Sequence, residues 1–399
     1  MRKENREMKI LLLGVGMQGK AALHDLFISP DVTEIIAADF ELAALKKWIN
    51  QRKYDSKVRC RHVDAANRES IDELMKLNPQ VVIDLLPAAY CGSVAESAVE
   101  HGIHLVNSLY LRPAVAALAG KAVDRRITIL PEFGMDPGID LVLTGEAIRS
   151  FDEITSFVSY GAGFPEKSAA NNPLRYKVTW TFEGVLNSYR RAGRVIRDGK
   201  VIDIGDNEMF RPEHIHMVDV KGIGVLEAIP NGDSLKYATL LGLDITKLRE
   251  LGRYSMRWPG HSEFWKKLVD LHLLDDESII VEGSPVNKRK FLATALEPHL
   301  RYKDDERDVV VVRVDVAGMK NGEKVRRVFQ IIDRRDLDSG FTAMSRTVGF
   351  TASIGAQMIG RGEITRRGVL TPVHDVPFDI FVEELRKRGI GVEEMMNDE

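Results

Sequence analysis

Cysteine is almost absent: Cys60 and Cys91 are the only two in 399 residues. Two thiols make neither a disulfide framework nor a metal site, and each is expected as a small buried apolar group in a reducing compartment. Long apolar runs are missing as well. None approaches the roughly 20 residues that cross a bilayer, and the opening MRKENREMKI has no apolar core of a secretory signal. Neither sign of charge prevails. A net charge of −3 is too small to suggest nucleic acid or an anionic membrane as a partner. His214 and His216 form an H-x-H pair with no third ligand in view, so they read as exposed polar residues and no metal is expected. There is no internal repeat and no low-complexity segment, and MRKENRE and the terminal MMNDE read as frayed ends. What remains is a cytoplasmic globular chain, 44% hydrophobic and 29% charged, long enough for two domains of about 100–200 residues each.

The first third alternates short apolar runs with helical stretches. Strands are expected at 10–13, 34–39, 58–63, 81–86, 104–107 and 127–130, with helices at 17–28, 42–52, 68–77 and 93–101. The apolar runs are nearly continuous, as in parallel strands buried on both faces, and the alternation predicts a doubly wound parallel sheet. After about Leu141 the pattern changes. ITSFVSYGAG, YKVTWTF, SIIVEG, DVVVVRVDVAG and RRVFQII are richer in β-branched and aromatic residues and predict a mainly antiparallel sheet. Residues 341–359 then turn helical, with small residues on one face suited to close packing. The reading is an α/β chain: a Rossmann domain over 8–140, an inserted mixed α/β substrate domain over 141–340, and C-terminal helices over 341–385 that return to the Rossmann domain.

The chemistry starts at MKILLLGVGMQGK, residues 8–20. Gly14, Val15, Gly16, Met17, Gln18 and Gly19 lie between a strand and a helix. Gly14 permits the tight turn, Gly16 a close approach of pyrophosphate, and Gly19 helix–strand contact. The helix N-terminus adds free N–H groups for phosphate. Asp39 stands at the end of the second strand, 20 residues beyond Gly19. Its carboxylate can accept from both ribose hydroxyls and repels a 2′-phosphate. No Arg follows it in Asp39-Phe40-Glu41, so NAD is expected over NADP.

Further residues fall at strand ends on the same edge. Asp64 follows the third strand, Leu86-Pro87 the fourth, and Asn107, Ser108 and Tyr110 the fifth. Adenine and the rest of the dinucleotide would lie along this edge; a solvated loop acid, simple strand termination and an ordinary turn are the respective competing readings. PEFGMDPGID at 131–140 places the acids Glu132 and Asp136 beside Gly134, Pro137 and Gly138, although Asp-Pro-Gly is also a common turn.

Several stretches together resemble the saccharopine dehydrogenase-like family, which includes saccharopine reductases, carboxynorspermidine dehydrogenases and lysine 6-dehydrogenases. They are GVGMQG (14–19), EFGMDPGID (132–140), SYGAGFP through NPLRYKVTW to EGVL (159–186), IPNGDS (229–234), YSMRWPGH (254–261) and TAMSRTVGFTASIGAQMIGRGEITRRGV (342–369). NPLRYKVTW and IPNGDS look more like the saccharopine reductases, RWPGH and RGEITRRGV at least as much like the lysine 6-dehydrogenases. Asp39 departs from the NADP-using fungal reductases. The resemblance implies hydride transfer at a carbon bearing nitrogen, through an imine, on a small amino-acid substrate, and a homodimer is expected.

Saccharopine carries three carboxylates, so the resemblance calls for cationic and polar side chains around the substrate. Arg257 is the first candidate for a carboxylate clamp, since guanidinium binds carboxylate bidentately. Asn231, Asp233 and Ser234 are candidates for substrate contact or for an Asx turn. His261 is a candidate for substrate or for a structural role. Lys177 and Trp180 would face opposite ways along a regular YKVTW strand. Asp136, Lys177 or a water would move the proton. A thioester route would need a nucleophilic cysteine, and Cys91 has no activating His near it in sequence. A non-catalytic NAD-binding protein is a further alternative.

Overall fold

A computed structural model describes residues 8–397, which divide into two compact units. The first comprises the described residues up to Gly145 together with Ser345–Ile390; the second comprises Glu146–Met344 and the chain from Gly391 onward.

The first unit is built on a seven-stranded sheet. Its strands are β1 (Met8–Leu13), β2 (Val32–Asp39), β3 (Val58–His62), β4 (Val81–Asp84), β5 (His104–Asn107) and β6 (Thr128–Leu130), with a short edge strand Gly368–Val369. The spatial order is edge strand, β6, β5, β4, β1, β2, β3, and every pairing is parallel. This is the doubly wound order, with its reversal between β1 and β4, where ligands bind at the carboxyl ends of the strands. Leu11, Leu13, Ile36, Val82 and Leu105 pack one face against helix Cys91–His101 and its neighbours.

The helix Ala343–Arg361 runs mostly within this unit. Its small residues permit close approach: a Cβ on Gly349 would lie 2.4 Å from the Gln18 carbonyl oxygen. A buried polar network fastens the contact. The Asp25 carboxylate takes two hydrogen bonds from Arg388 at 2.6 and 2.9 Å, one from Ser353 at 2.6 Å and one from Gln357 at 3.1 Å. Almost fully buried, it is compensated on every side, which such a charge requires.

The second unit holds a nine-stranded mixed sheet. Its strands are β7 (Glu153–Pro165), β8 (Gly193–Arg197), β9 (Lys200–Ile204), β10 (His216–Val220), β11 (Gly224–Pro230), β12 (Glu250–Arg257), then, after a separate hairpin of β13 (Ser278–Val281) and β14 (Ser284–Asn287), β15 (Asp308–Lys320), β16 (Glu323–Arg334) and the last strand of the chain, Val392–Asn397. Only β7 and β12 run parallel; all other pairs are antiparallel. Val309, Val310, Val311 and Val312 of β15 are all buried, so this run has no polar face.

Three sequence expectations change. The segment Tyr176–Trp180 is not a strand. It is an irregular stretch between Asn172 and helix Phe182–Ser188, held by the Asn172 side chain and by Val178 N–H to the Leu300 carbonyl at 2.9 Å. Strand β4 stops at Asp84, two residues early, because the Asp84 side chain accepts the Leu86 N–H at 3.0 Å and turns the chain. At the other end, residues 395–397 are not frayed. They belong to a strand Val392–Asn397 that pairs with β16. MRKENRE lies outside the described residues.

Candidate active site

In the first unit the glycine loop has the stereochemistry of a dinucleotide cradle. Gly14 sits at φ +84, and a Cβ there would lie 2.7 Å from the Leu85 carbonyl oxygen. At Gly19 a Cβ would be 2.0 Å from the Gly14 carbonyl oxygen. Gly16 is different: nothing lies within 4 Å of its missing side chain, so the backbone faces open space where a pyrophosphate needs it. Gly16 also begins helix Met17–Ile28 with no side-chain cap and no acid in the first turn, leaving the helix N–H groups of Met17, Gln18 and Gly19 for an anion. The residues present therefore fit a dinucleotide.

Asp39 closes the loop. Its Oδ2 accepts the Val15 N–H at 2.7 Å and its Oδ1 the Glu41 N–H at 2.9 Å. The carboxylate is thereby anchored at the end of β2 and half exposed. Asp64 lies past β3, where its own side chain accepts the Ala66 N–H at 3.0 Å in an Asx turn. Leu86 and Pro87 follow β4, and Asp84, buried beneath them, has its carboxyl pushed up to about 7 by burial. Cys91 is buried at the start of its helix, and burial raises its thiol further from the reactive thiolate.

The loops after β5 and β6 come together at this edge. Asn107 is buried and its side chain accepts the Leu109 N–H at 3.1 Å, while its carbonyl accepts the Phe133 N–H at 2.9 Å. Glu132, at φ +58, joins the Leu109 carbonyl through its N–H at 2.9 Å. Beyond it the FGMDPG loop folds on itself: a Cβ on Gly138 would meet the Gly134 carbonyl oxygen at 2.1 Å. The result places Asp136 beside Tyr110, whose hydroxyl donates to Asp136 Oδ1 at 3.3 Å.

In the second unit the substrate candidates separate into two groups. Asp233 receives a bidentate pair from Arg194, at 3.1 and 2.7 Å, and also accepts the Leu235 N–H at 3.1 Å. The buried Ser234 hydroxyl accepts the Arg253 N–H at 2.9 Å, and the Asn231 N–H donates to the Arg253 carbonyl at 2.8 Å. These contacts make PNGDS a corner of the sheet.

The other group surrounds Arg257. Its guanidinium is buried, lies over the Tyr176 ring at 5.3 Å and donates from Nη1 to the Met256 carbonyl at 2.7 Å. Its Nε has no partner, and no carboxylate lies within ion-pair distance among the described residues. A buried cation without a counter-ion is costly, and an anionic ligand would relieve it. His261 is also buried, and its Nε2 shares a 2.7 Å hydrogen bond with the Tyr189 hydroxyl. Burial first, then the nearby Arg257 charge, holds its imidazole neutral, well below the usual range. The Tyr302 hydroxyl is buried without a partner, and burial raises its pKa.

Lys177 is buried in the same region and ion-paired with Glu306. Burial lifts the Glu306 carboxyl, but hydrogen bonds from Lys177, the Lys303 N–H and Asn171 outweigh it and hold it below the usual carboxylate range. Trp180 is exposed. His214 and His216, expected from sequence to be exposed, are not. His214 is buried, and the His216 ring sits edge-on to Tyr254 with its Nε2 3.2 Å from the Tyr160 hydroxyl, its pKa pushed by burial to about 4. Sequence reasoning missed Glu306 and Tyr302. Both lie in the charged run YKDDERD, which carries every sign of a solvated loop.

With that geometry in hand, comparison with known proteins is specific. The model of the saccharopine dehydrogenase C-terminal domain matches residues 134–390, and that of the saccharopine dehydrogenase NADP binding domain matches residues 10–130. The chain belongs to the saccharopine dehydrogenase family. It is 26% identical to the mitochondrial alpha-aminoadipic semialdehyde synthase of Mus musculus, over 96% of this chain and 47% of that one. It is 25% identical to the saccharopine dehydrogenase [NADP(+), L-glutamate-forming] of Saccharomyces cerevisiae, over 96% and 98%. The chain thus spans about half the length of the mammalian relatives it matches. Among solved structures, apo saccharopine dehydrogenase (L-Glu forming) from Saccharomyces cerevisiae superposes with a TM-score of 0.85 at 24% identity, covering 98% of this chain and all of that one. The family shares the fold seen here, a nucleotide-binding parallel sheet with a second mixed-sheet unit.

Proposed function

We propose that the chain is a nicotinamide-dependent oxidoreductase of lysine metabolism that oxidises the secondary amine of saccharopine. The observation that carries this reading is the Tyr110–Asp136 pair, on the same strand-end edge as the glycine loop. A bound nicotinamide dinucleotide would supply the hydride acceptor, held by residues 14–19 and Asp39. Asp136 accepts the amine proton as the carbon–nitrogen bond becomes an imine, and Tyr110, donating to its Oδ1, orients the carboxylate. Water then adds to the imine, which breaks down to an aldehyde and a primary amine. Arg257 takes a substrate carboxylate, for which its buried guanidinium, with Nε unbonded and no counter-ion, is suited. Lys177 is assigned to Glu306 rather than to the proton, because its ammonium is engaged in that ion pair.

The cofactor we infer is NAD. The descriptions of the matching nucleotide-binding model and of the yeast relative name NADP. In this chain, however, Asp39 holds a carboxylate on two backbone N–H groups at the end of β2, and a 2′-phosphate placed against it would meet like charge.

Purified protein with saccharopine, lysine or carboxynorspermidine, each with NAD or NADP, tests the reading. The expected result is NADH formation with saccharopine and a lower KM for NAD than for NADP. Turnover of lysine alone with ammonia release, or no turnover at all, would overturn it.

A further inference from the structure

The first unit has a second concave site on the opposite edge of its sheet. The glycine loop follows the carboxyl end of β1, whereas this cleft, of about 570 Å³, opens where β4 and β5 begin. It is lined by Asn78, Pro79 and Gln80 before β4, Gly102 and His104 at the start of β5, and Ile359, Gly360, Gly362 and Arg367 near the end of the long C-terminal helix. Its volume lies within the range of small-molecule sites.

Two of these residues have their chemistry fixed by Thr128. A backbone N–H is only ever a donor, so the 2.8 Å bond between the Thr128 N–H and His104 Nδ1 makes that nitrogen the acceptor. The neutral ring must then carry its proton on Nε2. Burial, reinforced by the Arg367 charge, lowers the His104 pKa to about 4, so the ring stays a neutral N–H donor at physiological pH. Arg367 in turn donates from Nη1 to the Thr128 hydroxyl at 2.9 Å, to the Ile364 carbonyl at 3.2 Å and to the Arg366 carbonyl at 3.3 Å. Its bonds go to neutral oxygens, and no carboxylate lies within ion-pair distance of it among the described residues. The Thr128 hydroxyl donates onward to the Arg366 carbonyl at 2.8 Å, which completes the scaffold.

The lining is therefore chemically one-sided. It contains one guanidinium, one imidazole N–H, two carboxamides, an apolar wall from Pro79 and Ile359, and no acid. A ligand with a cationic group would find only neutral carboxamide oxygens from Asn78 and Gln80 and no counter-charge. A carboxylate would find a fork of guanidinium donors, and a short apolar body would find the wall. We propose that this cleft binds a small carboxylate lacking an ammonium group, such as a 2-oxo acid, at a site separate from the dinucleotide loop. Because the site lies at the other ends of the same parallel strands, it is independent of the catalytic reading above.

The experiment is a titration of the full chain, with NAD bound, followed by calorimetry and by the imidazole resonances of labelled histidine. The probes are 2-oxobutanoate, 2-aminobutanoate and inorganic phosphate. The expected result is a saturable shift of the His104 resonance with 2-oxobutanoate. Affinity should fall roughly tenfold in Arg367→Gln, as removal of one charged hydrogen-bonding partner predicts, and binding should be lost in Gln80→Trp. That second variant fills the mouth from an exposed position and leaves the Thr128 contacts intact. Both should keep the wild-type NAD affinity. The proposal is overturned by an unmoved His104 resonance, by unchanged affinity in both variants, by equal binding of 2-aminobutanoate, or by tighter binding of phosphate than of 2-oxobutanoate.

Discussion

The Asp39 carboxylate reaches back 24 residues to take the Val15 N–H at 2.7 Å, so the acid proposed to read the ribose also braces the loop proposed to hold the phosphates. On that proposal, loop geometry and ribose recognition are coupled through one side chain. Asp39→Ala should weaken NAD binding by more than a lost ribose contact alone, and it should narrow the gap between NAD and NADP. Calorimetric titration of both cofactors against both proteins measures this. A loss of affinity for NADP as large as for NAD would contradict the charge argument.

Gly19→Ala tests the cradle separately. The added methyl would start 2.0 Å from the Gly14 carbonyl oxygen, a separation no packed structure tolerates, so the loop must move. NAD binding should fall below detection while the second unit, followed through the fluorescence of Trp180, Trp258 and Trp265 in a Trp48→Phe background, unfolds as in the same background without the substitution. Retention of wild-type affinity would mean that the loop does not hold the dinucleotide.

Arg257→Met makes stability and function move in opposite directions. Removing a buried guanidinium that lacks a counter-ion should leave the protein equally stable or more stable, by about 1–2 kcal/mol. Its KM for a tricarboxylate substrate should nevertheless rise by roughly tenfold or more. Denaturant titration and steady-state kinetics on one preparation provide both readings. A strongly destabilised variant would show that Arg257 is a structural group.

Breaking the Lys177–Glu306 pair should do the reverse. Glu306→Gln leaves a buried ammonium without its anion, at a cost of about 3–5 kcal/mol, and the double variant Lys177→Met/Glu306→Gln should recover much of it. A thermodynamic cycle of the four proteins measures the coupling. Additive effects would mean that the pair acts as two unrelated groups.

The buried Asp84 carboxyl has a pKa of about 7, against an ordinary value of 3.8. The folded state thus holds a proton between about pH 4 and 7 that the unfolded state releases, so stability from this group falls as pH rises through that window and levels off above it. The full swing is on the order of 4 kcal/mol. His104, neutral down to about pH 4, contributes a rise over an overlapping range. The clean measurement is the difference between wild type and Asp84→Asn, whose amide can still accept the Leu86 N–H. The variant should gain on the wild type from pH 4 to 7, and a pH-independent difference would refute the assignment.

Local features of the chain were legible in proportion to how local their causes are. The glycine loop and Asp39 lie within one strand–helix–strand unit, and their spacing alone indicates their relation. The parallel, doubly wound class of the sheet follows from its continuous apolar runs and their alternation with helices. Lys177 shows the limit. YKVTW alternates like a strand, but Asn172 caps the segment and Leu300 takes its backbone bond, so tertiary contacts override the pattern. Glu306, 129 residues from Lys177, is one acid among many in a charged run, and only folding distinguishes it. The same holds for Arg194, which claims Asp233 from 39 residues away.

The last strand, Val392–Asn397, carries a consequence for how the chain can be divided. The polypeptide leaves the first unit, completes most of the second, returns to the first and finally contributes one strand to the second. Neither unit is therefore an uninterrupted piece of sequence. A chain shortened at Ile390 would keep every residue of the nucleotide sheet, yet it would strip β16 of its partner from Arg326 to Ile331 and leave a row of open backbone groups, the kind of edge that recruits other chains. The cost of trimming this end would be paid as self-association rather than as loss of cofactor binding.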